Sequence, residues 1–260
     1  MTLLAVVRDV CATVGVMMPQ TVFGSINTNR TMQEMVSLAN EMAQRIAYDT
    51  RDWTALRRVG TFTGDGQFLP PRPDPLAVWT GTVAFVLPAD YRRMLLTTNV
   101  WRSTDTQSPM IFISDADDWL QRRISYASDY GGGEWTIIGD QMHIWPIMAG
   151  PVVDPPFPAV TATFTYLDRN CVALTGGGYG DSFMADTDRF RLDERLLKLG
   201  MIWQWKAQKG SPYAEDMGTY SDALANVTGH DQPAPIIIGR SPRSQYDRVS
   251  GSWPPGWGPP

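Results

Sequence analysis

The sequence predicts an α+β fold: a helical bundle from N-terminal helices and a C-terminal helical hairpin, an inserted antiparallel β-sheet or sandwich, and an extended C-terminal tail. Three observations predict it. Apolar residues recur at helical spacing near both ends, short β-branched or alternating runs fill the middle, and the last segment has no sustained period. We divide the chain accordingly. Residues 1–58 and 190–228 form one helical domain, 59–189 a β-rich domain with one short helix, and 229–260 an extended Pro/Trp-rich tail.

The first helix follows Thr2, a plausible N-cap, with Leu4, Val7, Cys11 and Val14 on one face and Gly15 as its stop. Thr31-Met32-Gln33-Glu34 has the pattern of a capping box and opens a second helix reaching about residue 49. Its stripe is Met35, Leu38, Ala39, Met42 and Ile46, and Trp53 just beyond reads as a core anchor.

After Arg58 the period shortens. Val59–Thr63, Val83–Leu87, Arg93–Thr98, Met110–Ser114, Glu134–Ile138, Met142–Trp145 and Val160–Tyr166 read as strands of an antiparallel sheet, with a hairpin turn at Gly139-Asp140. Ser114 is placed as the cap of a short helix, Asp115–Ile124, with Trp119 and Leu120 turned inward. Gly64–Gly81, with Pro70, Pro71, Pro73 and Pro75, reads as a long loop, and 149–158, with four prolines, as a stiff connection.

Helix returns near residue 192, with Leu192, Leu196, Leu199 and Trp203 on one face and Ile202 and Ala207 widening it. Asp193 and Glu194 in the first turn and Lys206 and Lys209 in the last suit the helix dipole, and Gly210 ends the run. Ser211-Pro212 is expected to start the next helix, with the stripe Tyr213, Met217, Tyr220 and Leu224. A short break between two such helices implies an antiparallel pair.

Composition narrows the function. The net charge is −5, whereas a chain that grips phosphates usually carries excess Lys and Arg. The basic residues are 19 Arg and 3 Lys, which fits protein interfaces and equally fits a GC-rich genome. Two cysteines far apart, Cys11 and Cys171, make no disulfide framework and read as reduced apolar residues in a cytosolic setting. No 18-residue apolar run predicts a membrane span, and Met1–Arg8 lacks the features of a signal peptide.

No motif announces catalysis, and the chain is not expected to be an enzyme or to need a cofactor or metal. His143 and His230 have no partner imidazole or cysteine nearby in sequence. Asp115-Ala116-Asp117-Asp118 suits a helix start better than a cation loop, since it lacks the glycine and distal glutamate. Gly176-Gly177-Gly178-Tyr179-Gly180-Asp181 has no helix following at once, as a phosphate loop requires, and reads as a flexible turn.

Leu3–Gly15, the run SLANEMAQRIAYDTRDW within Met35–Trp53, and above all LLKLGMIWQWKAQKGSPYAEDMGTY over Leu196–Tyr220 carry a likeness. In them the chain resembles the head-to-tail adaptor (connector) proteins of tailed bacteriophages and, more distantly, tail tubular protein A of short-tailed phages. The likeness runs to about residue 228, and the Gly64–Gly81 insertion and the Trp/Pro-rich tail depart from it.

The resemblance implies a homo-oligomeric ring, usually dodecameric, between the portal protein and the tail or nozzle proteins. DNA passes through such a ring without specific binding. The protein would reside in the virion neck or tail region, and in the host cytoplasm during assembly, with no membrane contact. The C-terminal segment commonly docks on the portal. Here Ile237, Arg240, Arg243, Tyr246, Arg248, Trp253 and Trp257 are the candidate docking residues, several of them interface anchor types. A disordered terminus without a role remains the alternative for that tail. Two further functional alternatives are a virion tail module binding host-surface glycan or receptor, and a carboxylate-dependent glycan hydrolase.

Overall fold

The computed structural model describes residues 1–26, 29–68, 79–95, 98–104, 108–125, 132–152 and 158–231. It is a mixed α+β structure with five α-helices and several sheets. The helices are α1 (Leu3–Val14), α2 (Arg30–Tyr48), α3 (Ala116–Ser125), α4 (Glu194–Gln208) and α5 (Ala214–His230).

Local chemistry sets most helix ends. The Thr2 hydroxyl accepts from the Ala5 amide at 3.4 Å, and Gly15 closes α1 in the left-handed region at φ 74°. The expected capping box at Thr31 is corrected. Asn29 is the cap, its side chain accepting from the Thr31 amide at 3.0 Å, and α2 begins one residue before Thr31. Glu34 is thereby left to pair with Arg30 at 3.1 Å and Lys209 at 2.6 Å. Asp193 caps α4 by accepting from the Leu196 amide at 2.9 Å. Ser211-Pro212 does not start α5, which begins at Ala214 after a Tyr213 cap with no side-chain bond.

α1, α2 and α5 each pack against α4. The stripe of α2 is buried as expected. On α1 the buried face is Leu3, Val6, Val7, Val10 and Cys11, rotated from the predicted one because Leu4 and Val14 lie at its margin. On α4 the buried residues are Leu196, Leu197, Gly200, Met201, Ile202 and Trp205. Leu199 and Trp203 are half-buried, Trp203 meeting the rings of Tyr213 and Tyr220. A helix contacted on two sides buries more than one stripe. Of α5 only Ala223 is fully buried, while Tyr213 and Met217 of its predicted stripe are exposed.

The larger strands are β1 (Arg57–Thr63), β4 (Ala84–Val86), β5 (Tyr91–Met94), β8 (Glu134–Ile138), β9 (Gln141–Trp145) and β10 (Thr161–Asp168). Shorter ones are β2 (Gln67–Phe68), β3 (Trp79–Thr80), β6 (Trp101–Arg102), β7 (Ile111–Phe112), β11 (Val172–Ala173), β12 (Tyr179–Gly180) and β13 (Arg189–Phe190). In one sheet β10 is central, with β1 along one side and β5 and β6 sharing the other. A second sheet has the order β4-β9-β8-β7. Its β8–β9 pair is the expected hairpin, with Gly139 at φ 62° in the turn. The sheets are not wholly antiparallel, because β7 joins β8 in parallel after the crossover through α3.

The two sheets face each other across a core of Val100, Met110, Trp135, Met142, Ile144, Phe164 and neighbours. The Phe62 ring bridges the layers, 5.0 Å from Phe85 and 5.1 Å from Phe164. α3 covers the outer face of the second sheet. Trp119 is buried near His143, whereas Leu120, expected inward, is exposed on the far side of the helix. The Gly64–Gly81 segment holds the β2–β3 pair, which sequence reading missed, and residues 69–78 lie outside the described ones.

Residues 167–190 join the helical cluster. Leu167, Cys171, Val172, Phe183 and Phe190 pack with α1, α2 and α4, around the small β12-β11-β13 sheet. Both cysteines are free thiols and buried. Burial pushes the Cys171 thiol up to about 11.

Gly60 marks the tightest approach within the sandwich. A Cβ there would lie 2.5–3.0 Å from three atoms of the fully buried Phe164 ring. Gly60→Val is therefore expected to destabilise the protein by about 1–3 kcal/mol, read from the shift of a urea melt. A neutral result would show that the Phe164 ring has room to turn.

Candidate interaction surfaces

The predicted docking residues Ile237, Arg240, Arg243, Tyr246, Arg248, Trp253 and Trp257 lie outside the described residues, which end at Asp231. What the structure does show is the base from which they extend. Asp231, the C-cap of α5, accepts from the Thr54 amide at 3.1 Å and from its hydroxyl, and lies 3.5 Å from Arg51. Arg51 also donates to the Thr228 carbonyl. The end of α5 is thus tied to the turn after α2, about 177 residues earlier in the chain. Trp53 holds that turn in place, being buried and donating its indole N–H to the Ile46 carbonyl at 2.6 Å. Beside it opens an apolar depression of about 280 Å³ lined by Trp53, Ala55, Leu192, Val227 and His230 among others.

A second feature locks the helical part to the sandwich. Asp168, fully buried at the end of β10, accepts from Arg191 at 2.6 Å, Arg58 at 3.2 Å and the Asn170 amide at 2.8 Å. Arg191 also donates to the carbonyls of Asn170 and Ala55. The ring of Tyr179 sits against both guanidinium groups, 4.1 Å from Arg191 and 5.1 Å from Arg58. Hydrogen bonding to Asp168 holds the Arg58 guanidinium above its ordinary range. One carboxylate therefore joins β1, β10 and the approach to α4.

A third feature is a hydroxyl-rich face. On the side of the first sheet away from the sandwich core, Val59, Thr61 and Thr63 of β1 lie beside Thr165, Thr163 and Thr161 of β10, and Thr163 pairs with Trp101 of β6. Val59 and Trp101 are exposed there. The Thr98 and Thr165 hydroxyls bond each other, and Thr61 and Thr163 meet at 3.4 Å.

The motifs weighed for chemistry take structural places. Asp115 accepts from the Asp117 amide at 2.8 Å at the start of α3, in the capping role first given to Ser114, and Asp118 pairs with Arg122 at 3.1 Å. Of Gly176–Asp181, read as a turn, Gly176–Gly178 lie in the β11–β12 turn, with Gly177 and Gly178 at φ 92° and 84°, while Tyr179–Gly180 form β12. His143 lies on β9 under Trp119, and burial, with Arg123 nearby, lowers its pKa. His230 is bonded to the Asn226 carbonyl at 2.6 Å. Among the described residues no three His, Cys, Asp or Glu side chains cluster as metal ligands, and no helix is long and apolar enough to cross a membrane.

Sequence reading missed Asp168, Asp231 and the threonine face. The alternation in RRVGTFT and TATFTYLD carries the last of these, once the two strands are known to pair. Compared with known proteins, the chain matches no family model and no curated protein.

Proposed function

We propose that this chain is a structural head-to-tail adaptor of a tailed bacteriophage. Copies close into a ring, dodecameric by the likeness, that joins the portal to the tail and extends the DNA channel. In this reading α1, α2 and α4, with the α4–α5 hairpin, form the helical bundle, and 229–260 docks on the portal through Ile237, Arg240, Arg243, Tyr246, Arg248, Trp253 and Trp257. DNA passes without specific binding, and no catalysis is involved.

The observation that supports it best is the fixed base of the tail. Asp231, Arg51 and Thr54 anchor the last described residue to the helical core, so a following segment reaches a partner from a defined point. A pre-positioned start reduces the entropy lost on docking. The exposed Tyr213, just before α5, and Met217 on it add apolar surface to this helix.

A second reading, a tail module binding host-surface glycan, is favoured by one observation: Trp101 exposed on a hydroxyl-rich sheet face. An indole flanked by hydroxyls suits sugar stacking and hydrogen bonding.

One experiment separates them. Purified chain is mixed with portal rings from the same virus and, separately, applied to a glycan array. The adaptor reading expects ring-bound chain that is lost when residues 232–260 are deleted, and no glycan signal. Glycan binding abolished by Trp101→Ala, without portal binding, would replace it with the second reading.

A further inference from the structure

Arg102 is a buried cation with no anion beside it, and we infer that its guanidinium is the floor of a binding site for a small oxyanion, a phosphate or a carboxylate.

The strand register fixes where this side chain goes. Across β6 and β10, Trp101 lies opposite Thr163 and Arg102 opposite Ala162. Thr163 belongs to the hydroxyl-rich outer face, so Trp101 points outward and Arg102 inward, between the two sheets. Their exposures agree: Trp101 is 41% exposed and Arg102 9%.

Arginine has five N–H donors, and two of them are used here. Nη2 donates to the Pro146 carbonyl at 3.1 Å and to the Ile147 carbonyl at 3.0 Å, just after β9. These bonds hold the group in place but bring no charge to it. Nε is fully buried with no acceptor, and Nη1 has none among the described residues.

No counter-charge offsets the burial. Desolvation lowers the Arg102 pKa, and no carboxylate acts the other way. Glu134, next to the glycine that touches Arg102, points to the opposite face of β8, where it accepts from Arg122 of α3 at 2.9 Å. An arginine does not shed its proton to escape the cost, as a buried lysine can. Buried charges are ordinarily paired for this reason.

Space is left beside Nη1. Gly133, at φ 91°, packs against it. A Cβ on that residue would lie 3.4 Å from Nη1, 3.2 Å from the end of Met110 and 2.9 Å from the Trp145 carbonyl. A side chain there would crowd the guanidinium, and glycine keeps its approach clear. Nη1 is not fully buried, so a solute reaches the charge from this side. One pleat further along the inward face of β8, Trp135 has a buried indole N–H that also lacks an acceptor. This end of the sandwich interior therefore holds more donors than acceptors.

The class of ligand follows from these groups. They are donors only and carry a positive charge, so they select a negatively charged acceptor. Guanidinium bonds to carboxylate and phosphate oxygens are among the strong ones. The recessed position favours a small anion over a nucleic-acid backbone.

The test uses the full-length chain, freed of phosphate and sulfate, near neutral pH. Thermal unfolding is followed in sodium phosphate, sodium acetate and sodium chloride at equal ionic strength. At about 50 mM anion, a site of roughly millimolar affinity raises the melting temperature by at least about 2 °C over chloride. Phosphate, acetate or both are expected to do so, and whichever acts identifies the class. Arg102→Met, uncharged and still long, is expected to remove the difference. Hydrogen exchange gives a second reading that needs no variant. The active anion should slow exchange at 101–103, 132–134 and 147–148 and leave the helical cluster unchanged. No shift beyond chloride from either anion would overturn the site. A shift that survives Arg102→Met, or protection confined to other segments, would mark an adventitious ion only and overturn it as well.

Discussion

Asp168→Ala is expected to remove about 3–5 kcal/mol of folding stability, the usual cost of deleting one partner from a buried ion pair. For a chain of this size that lowers the melting temperature by on the order of 10 °C. The cause is local and specific. Asp168 is fully buried, and Arg191, itself only 10% exposed at the side chain, keeps its charge there after the carboxylate is gone. Arg58 contributes less, because its side chain is 37% exposed and water takes over part of its solvation. Asp168→Asn keeps an acceptor for the Asn170 amide and is expected to cost less than Asp168→Ala. Adding Arg191→Met to Asp168→Ala should recover part of the loss by removing the stranded cation. Thermal unfolding of the four proteins checks this, and a loss below about 1 kcal/mol for Asp168→Ala would show that the pair does not hold the two parts together. Hydrogen exchange should also rise at the end of β10 and the start of α4, since both are tied to this carboxylate.

Asp188→Ala is expected to cost about 3 kcal/mol or more, through unpaired backbone donors rather than a stranded charge. The carboxylate is 1% exposed. It accepts from the amides of Thr175 at 3.0 Å, Met184 at 2.8 Å and Ala185 at 2.7 Å, and from the Thr175 hydroxyl at 3.2 Å. The Asp188 carbonyl in turn accepts from the Leu3 amide at 2.8 Å, and that of Asp186 from Leu4 at 3.0 Å. One short segment therefore closes the 175–188 loop and supplies acceptors to the first amides of α1, which a helix cannot satisfy internally.

The same group gives a pH dependence of known sign. Burial pushes the Asp188 carboxyl up, but the amides of Met184, Thr175 and Ala185, with the Thr175 hydroxyl, outweigh it and hold it below the ordinary 3.8. The unfolded chain then binds this proton first as pH falls. Its contribution is complete above the ordinary carboxylate range and is lost as pH falls below it, through the lowered folded value. In Asp188→Asn that part of the acid dependence should vanish, measured as the difference between urea midpoints near neutral pH and in acid. An unchanged acid slope would assign the loss to other carboxylates.

How much was legible in the sequence differed by element. The 3.6-residue stripe of α2, Met35, Leu38, Ala39, Met42 and Ile46, was read correctly because one face of that helix meets the core. The stripe of α4 was read too narrowly, because α5 covers a second side, and that of α5 too optimistically, because little packs against it. β8 and β9 were legible from alternation and the Gly139-Asp140 turn. β6, β7 and β11–β13 were not, or only in part, since two residues show no period. Composition set the Pro/Trp-rich tail apart, and only the resemblance suggested that it docks; the residues that fix its base were not legible.

By itself the sequence determined the class of fold, the number and approximate span of the main helices, and the β8–β9 hairpin, all of which depend on residues close together in the chain. Only the tertiary structure decided that the threonines of β1 and β10 share one face, and that Asp168 and Asp231 each join segments more than a hundred residues apart. Pairing partners and buried polar contacts are set by the meeting of distant segments. No local period records that meeting.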